Sequence, residues 1–190
     1  EAMRTVGTAD ILFGAPRHLE LFNTHAGEKH ELVGGYRESV ADVRSARGRG
    51  RVAVLVSGDP GVFSYAALLR RHFAASELQV VPGISSVQVA CARAGLPWHD
   101  ATVLSAHGRE IADLPGALDG RRVLVILTDT RNTPAEIARW IAELGHRERP
   151  VWLCERLSYE DERVRRMTAA EAASAETHDL SVVVVEGSDG

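Results

Sequence analysis

This chain has almost no lysine: Lys29 stands alone in a basic complement otherwise made of arginine, an imbalance that matches GC-rich coding and carries no functional reading. Cysteine is scarce as well. Cys91 and Cys154 are the only two, lie far apart and fall outside any metal-ligand spacing, which excludes a disulfide framework and fits a reducing compartment. No apolar run approaches the roughly 18 residues of a membrane helix, and the first residues lack the charged-then-apolar order of a signal peptide. A soluble, cytoplasmic protein with no membrane partner is the expectation. There is no excess of positive charge either, the formal net charge being −4, so nucleic acid is not an expected partner and an anionic ligand must be met by local arginines. No G-x-G-x-x-G opens a helix, leaving dinucleotide binding without support. The histidines, His18 and His99 among them, form no metal spacing, so no protein-bound metal is expected. Internal repeats and low-complexity segments are absent.

What is present is an ordinary globular composition, 45% hydrophobic and 25% charged over 190 residues, enough for one large domain or two small α/β lobes. The most informative stretch is VAVLVSGDPGVFSYAALLRRHF, Val52 to Phe73. Its valine-rich start reads as a strand buried on both faces, and its end as an amphipathic helix. Between them Gly58 and Gly61 permit positive φ and close backbone approach, and Pro60 fixes one torsion. Such a turn is either a plain strand-to-helix connection or the ligand edge of a parallel sheet. Leu78 to Val81 reads as another strand, running into Pro82-Gly83-Ile84-Ser85-Ser86 and a helix from Val87 to Ala94. Ser85 and Ser86 serve there as helix caps or as ligand donors.

Elsewhere, helix is expected at Glu1 to Val6, Arg17 to Phe22 and Tyr36 to Arg47, and strand at Asp10 to Gly14 and weakly at Glu31 to Val33. Arg44 to Arg51 reads as a solvated basic loop. Gly95-Leu96-Pro97-Trp98 ends a helix and blocks its resumption, which places a domain boundary after residue 98. Beyond it, Ala101 to Ser105, Arg122 to Leu127, Val151 to Cys154, Val164 to Met167 and Leu180 to Val185 read as strands, with one long helix from Thr133 to Leu144. The closely spaced late strands predict an antiparallel portion and a mixed sheet.

Taken in order, SGDPGVFSY, VVPGISSVQVA, GLPWHDATVLSAHGR, LTDTRNTP and CERLSYEDE resemble the tetrapyrrole (corrin/porphyrin) methylase family. More narrowly the chain is similar to the precorrin C(5)-methyltransferase subgroup, as is its opening ADILFGAPRHLELF. The Gly-Asp-Pro and Pro-Gly-Ile-Ser turns are shared across the family. Pro97-Trp98, Ser105 to Arg109 and Thr128-Asp129 point to the subgroup. The resemblance implies two small α/β lobes, residues 1–98 and 99–190, with S-adenosylmethionine in a cleft between them. It also implies a first strand and a Gly-x-Gly-Pro-Gly loop that this sequence does not contain; Glu1 to Ala9 is similar to the helix following that loop.

Residue by residue, the resemblance carries cofactor binding onto Ser57, Gly58, Asp59, Val62, Phe63, Ser85, Ser86, Thr128 and Leu157. It implies methylation of carbon 5 of a late precorrin or its cobalt form, and a homodimer. The apolar helix from Val87 to Ala94 is a second argument for dimerisation, unless it is core. His107 is the candidate acid or base, histidine being the side-chain type suited to proton transfer at working pH; the alternatives are a loop histidine or one that holds a substrate carboxylate. Arg17, Arg109 and Arg131 are candidates for binding substrate carboxylates, through the planar fork that guanidinium offers, or are surface arginines in intramolecular pairs. Rival readings within the same fold are diphthamide and ribosomal RNA methylases; from another class, a non-catalytic ligand-binding domain.

Overall fold

The computed structural model describes residues 1–32, 36–107, 113–120 and 122–187. The chain divides into two compact units, Glu1–Ser85 and Ser86–Gly190.

In the first unit the order is α1 (Ala2–Gly7), β1 (Ile11–Gly14), α2 (Pro16–Glu20), β2 (Glu28–Glu31), α3 (Tyr36–Arg47), β3 (Val52–Val54) and α4 (Ala66–His72), with a short 3-10 turn at Ala75–Glu77. The sheet is parallel, ordered β2-β1-β3. All four residues of β1 are buried, as a central parallel strand requires. Ile11 and Phe13 point to one face, where they pack with Val40, Val43 and Ala46 of α3 and Leu69 and Phe73 beside α4. Leu12 points to the other and meets Val6 of α1 and Leu19 of α2. Helices thus cover both faces of a parallel sheet, the α/β arrangement that the alternating sequence pattern implies.

Two strand expectations change. β3 is only three residues long, with Ala53 buried but Val52 and Val54 half-buried. Both of its faces meet packing, Val52 and Val54 on the side of Ile11 and Phe13 and Ala53 on the side of Leu12, so the expected burial on two faces is present but incomplete. Leu78 to Val81 runs without ladder pairing, and Val80 is 45% exposed. A strand is stable only against a neighbour, and none pairs with it among the described residues. Val52, Val54, Leu78 and Val81 line a groove of about 820 Å³ that also reaches His18 and Gly58. The basic run is no free loop: α3 continues through Arg47, Arg44 lies 4.5 Å over the Phe73 ring, and Arg49 pairs with Glu28 at 2.9 Å.

The second unit contains α5 (Ser86–Ala94), β4 (Thr102–Ser105), α6 (Leu114–Leu118), β5 (Leu124–Leu127), α7 (Pro134–Glu143), β6 (Pro150–Glu155), β7 (Arg163–Thr168), α8 (Ala169–Ala172) and β8 (Ser181–Val185). The sheet order is β4-β5-β8-β6-β7, with β4 and β5 parallel and the remaining pairs antiparallel, the mixed sheet expected from the spacing. α7 begins at Pro134 behind a Thr133 hydroxyl that accepts from the Glu136 N–H at 3.2 Å. It lays Ile137, Ala138 and Ile141 on Leu124, Ile126, Leu153 and Val183.

The division at Ser85/Ser86 differs from the boundary read after residue 98. The reason is packing: α5 lies against β8, a partner some ninety residues further on, and Val87, Ala90 and Cys91 are its buried residues. The apolar character of α5 is therefore core. Both cysteines are unpaired and buried; burial pushes the Cys154 thiol up to about 12, with Cys91 beside it adding to the shift.

At the end of β6 a carboxylate is buried. Glu155 is 1% exposed and accepts from Arg163 Nε at 2.7 Å, Arg163 Nη2 at 2.9 Å, Arg165 Nη2 at 3.0 Å and the His178 N–H at 2.9 Å. This ties β6, β7 and the approach to β8 together.

Candidate active site

The backbone leaves β3 through a ladder-like bond from Leu55 N–H to the Phe13 carbonyl at 2.7 Å and enters the turn Ser57 to Gly61. Gly58 sits at φ 62°, the left-handed region that favours glycine. Asp59 organises the rest of the turn. Its Oδ1 accepts from the Gly61 N–H at 2.7 Å and its Oδ2 from the Gly83 N–H at 3.1 Å. A Cβ on Gly83 would stand 2.4 Å from the Gly58 carbonyl oxygen. The two glycine turns, 24 residues apart at Asp59 and Gly83, are therefore one structure pressed backbone to backbone. Asp59, expected as a ligand contact, spends its carboxylate joining them.

Around this seat Val62 is half-buried, while Phe63 is 55% exposed and held at φ 43°. A bulky residue in that region is strained, a condition that clusters at ligand sites. Ser85 is 4% exposed, and Ile84 beside it 74%. The Ser57 hydroxyl is engaged by α2: Arg17 Nη2 donates to it at 2.8 Å, and His18 Nε2 lies 2.9 Å away. Arg17, a substrate-binding candidate, is thus placed at the Ser57 to Gly61 turn. His18 has no assigned role in the sequence reading; its place directly after Arg17, at the carboxyl end of β1, is the available signal.

Within the second unit His107, Thr128 and Arg131 follow the carboxyl ends of β4 and β5. Thr128 donates its hydroxyl to the Ser181 carbonyl at 2.8 Å. Asp129 Oδ1 accepts from the backbone of Arg131 at 2.9 Å and of Asn132 at 2.6 Å. The Asn132 amide donates to the Ala106 carbonyl, beside His107. His107 and Arg131 are both exposed; Arg109 lies outside the described residues. Leu157 is half-buried between Arg156 at φ 47° and Ser158 at φ 68°. That strained loop joins β8 through the Arg156 N–H bond to the Leu180 carbonyl at 2.8 Å, next to the Ser181 that receives Thr128. Thr128 and Arg156, the residue before Leu157, thus bond to neighbouring carbonyls at the start of β8. Ser86 opens α5, half-buried. Among the described residues no group of three or more His, Cys, Asp or Glu could hold a metal ion.

A family model described as Tetrapyrrole (Corrin/Porphyrin) Methylases matches residues 1–173. The cobalt-precorrin-7 C(5)-methyltransferase of Salmonella typhimurium is 32% identical over 97% of this chain and 90% of its own length. The precorrin-6Y C(5,15)-methyltransferase (decarboxylating) of Sinorhizobium sp is 34% identical over 98% of this chain, which spans 45% of that longer protein. Among solved structures, the precorrin-6Y methylase of Archaeoglobus fulgidus superposes with a TM-score of 0.75 at 29% identity, covering 99% of this chain and 90% of that one. A uroporphyrin-III C-methyl transferase of Thermus thermophilus, complexed with S-adenosylhomocysteine, has a TM-score of 0.78 at 22% identity over 97% of this chain and 89% of its own, a likeness of fold. With the paired turns at Gly58 and Gly83, the two sheets and this match across most of its length, the chain belongs to the tetrapyrrole (corrin/porphyrin) methylase family.

Proposed function

We propose that this chain transfers a methyl group from S-adenosylmethionine to carbon 5 of a late precorrin or its cobalt form, in cobalamin biosynthesis. The observation that carries the cofactor part is the joined pair of turns, Gly58 against Gly83 with Asp59 bonded across them. Small residues at the carboxyl end of a parallel strand let a folded ligand approach the backbone, and exposed Phe63 offers apolar surface to an adenosyl group. The substrate part rests on the relatives, whose names describe C(5) methylation.

S-adenosylmethionine supplies a methyl group already activated on a sulfonium, so the protein's work is orientation of an electron-rich macrocycle carbon in line with it. Such positioning can supply about 7–11 kcal/mol of the barrier reduction. The turns seat the cofactor; Thr128 and Leu157 are its further contacts through the family resemblance. Arg17 and Arg131, with Arg109, hold the acetate and propionate groups of the macrocycle through bidentate bonds. His107, its ring exposed at the end of β4, moves the proton that methylation leaves on the macrocycle. The homodimer belongs to this reading through the family alone, α5 being core. Cytoplasmic placement suits two buried, unpaired thiols.

The test follows labelled methyl from S-adenosylmethionine into a precorrin and its cobalt form, with ribosomal RNA and a diphthamide precursor protein offered in parallel. Label in the macrocycle at carbon 5 is expected. Label in the RNA or the protein, with none in the macrocycle, assigns the chain to a rival methylase; cofactor binding with no turnover on any of them makes it a ligand-binding domain.

A further inference from the structure

We infer that His18 is a positioning residue whose neutral imidazole, with the Ser57 hydroxyl, locks the Arg17 guanidinium so that its outer edge is held ready for a substrate carboxylate. The inference rests on the proposed function for the identity of that substrate, and on three distances for the rest. Arg17 Nε donates to His18 Nε2 at 3.3 Å, Arg17 Nη2 donates to Ser57 Oγ at 2.8 Å, and His18 Nε2 stands 2.9 Å from Ser57 Oγ. The three side chains close a triangle.

Only one protonation pattern satisfies all three contacts. A guanidinium donates and never accepts, so His18 Nε2 must present a lone pair to Arg17. The imidazole is then neutral with its proton on Nδ1, and the Ser57 hydroxyl, accepting from Arg17, donates to Nε2, whose single lone pair it shares with the longer Arg17 Nε contact. The surroundings agree. Nδ1 is buried without a partner, and the Leu55 backbone near the ring favours its bearing a proton. Burial first, and the neighbouring Arg17 charge second, hold the ring below its ordinary value of 6.5. The groups facing the ring are Arg17 on its own helix and Ser57 and the Leu55 backbone from the exit of β3, and a β-carbon on Gly14 of β1 would stand 3.5 Å from the His18 Cβ. No carboxylate pairs with His18 or Arg17 among the described residues.

The consequence for Arg17 is directional. Its side-on edge, Nε and Nη2, is consumed by the triangle, leaving the end-on edge of Nη1 and the second Nη2 hydrogen to solvent, since Arg17 is exposed. That edge is the planar fork that grips a carboxylate bidentately. A guanidinium already immobilised loses little rotamer freedom on binding. Because the lock runs through Ser57, the substrate arginine and the cofactor turn are fixed by one hydroxyl. Protonating His18 removes the lone pair and sets a second cation beside the first, so Arg17 is released as pH falls.

The experiment compares wild type, His18→Gln and His18→Phe. Glutamine keeps an uncharged acceptor within reach of Arg17 and does not titrate; phenylalanine keeps volume and removes the acceptor. In methyl transfer to the precorrin, His18→Phe is expected to raise substrate KM about tenfold or more with kcat within about threefold and the melting temperature preserved. Wild type is expected to show a rise in KM on acidification, and His18→Gln to keep KM within about threefold of wild type and to lack that rise. Unchanged KM in folded His18→Phe, or an identical acidic limb in His18→Gln, overturns the lock. A second readout needs no turnover and separates this idea from the assignment of substrate. Nitrogen NMR of wild type should report a neutral imidazole protonated at Nδ1 and titrating below the ordinary value of 6.5. An Nε2-protonated ring, or one titrating above that value, sinks the proposal even if the methylation reading stands.

Discussion

Gly83→Val is expected to weaken S-adenosylmethionine binding at least about 100-fold, or about 2.7 kcal/mol, as read by calorimetry. The β-carbon alone would sit 2.4 Å from the Gly58 carbonyl oxygen and 3.2 Å from its carbon. Both atoms are backbone, so no side chain can swing aside, and the turns must separate. Separation also breaks the bond from the Gly83 N–H to Asp59 and frees the carboxylate that shapes the first turn. Gly58→Val should act on the same seat by a different route, forcing a branched side chain to φ 62°. Gly7→Ala is the control, because a Cβ there meets nothing within 4 Å, and it should leave affinity unchanged. A Gly83→Val protein that keeps its circular dichroism spectrum and binds cofactor as wild type does would place the cofactor elsewhere.

Glu155→Ala should be the most destabilising single truncation of a charge, at about 3 kcal/mol and a melting temperature lower by about 10 °C. The change leaves Arg163, Arg165 and the His178 N–H facing each other without their shared acceptor. The cost falls at the lower end of what breaking a buried pair involves because the Arg163 side chain is 50% exposed and can rehydrate. The cluster also sets an acid dependence. Burial pushes the Glu155 carboxyl up, but Arg163, the His178 N–H and Arg165 together hold it below its usual 4.5. A carboxyl depressed on folding stabilises the native state above its unfolded value and stops doing so as pH falls through the folded one. The melting-temperature gap between wild type and Glu155→Gln should therefore be full at neutral pH and shrink once the pH drops below about 4.5. A gap under about 2 °C at pH 7 would mean that the two arginines find other partners.

How much of this is legible in the sequence depends on how local the cause is. α7 is readable from its helical spacing, its Thr133 cap and Pro134, and β8 from an unbroken run of valines. Leu78 to Val81 looks like a strand by the same standard but pairs with nothing among the described residues, because strand formation needs a partner that residue types alone do not supply. The stop signal at Gly95 and Pro97 is real as punctuation, yet α5 belongs with the second unit, since β8 is the surface it packs on. At the site, Gly58 announces its turn, and the resemblance carries the remaining cofactor residues. The task of Asp59 is hidden: its partner Gly83 lies 24 positions away, and only the folded backbone brings them together. His18 escapes a reading by residue type because an isolated histidine shows nothing until Arg17 and Ser57 are seen to close around it.

β8 has a hydrogen-bonded neighbour on each side and all five residues buried, which fixes where the second unit opens last. Amide hydrogen exchange should be slowest along β8 and its flanking strands, whose opening requires ladders on both sides to break. The turn from Ser57 to Gly61 is held instead by a few local bonds, those of the Asp59 carboxylate to the Gly61 and Gly83 N–H groups. A ligand seated there at 100 times its dissociation constant raises the free energy of every opening that destroys the seat by about 2.7 kcal/mol, so slowed exchange of the Gly61 and Gly83 amides reports occupancy.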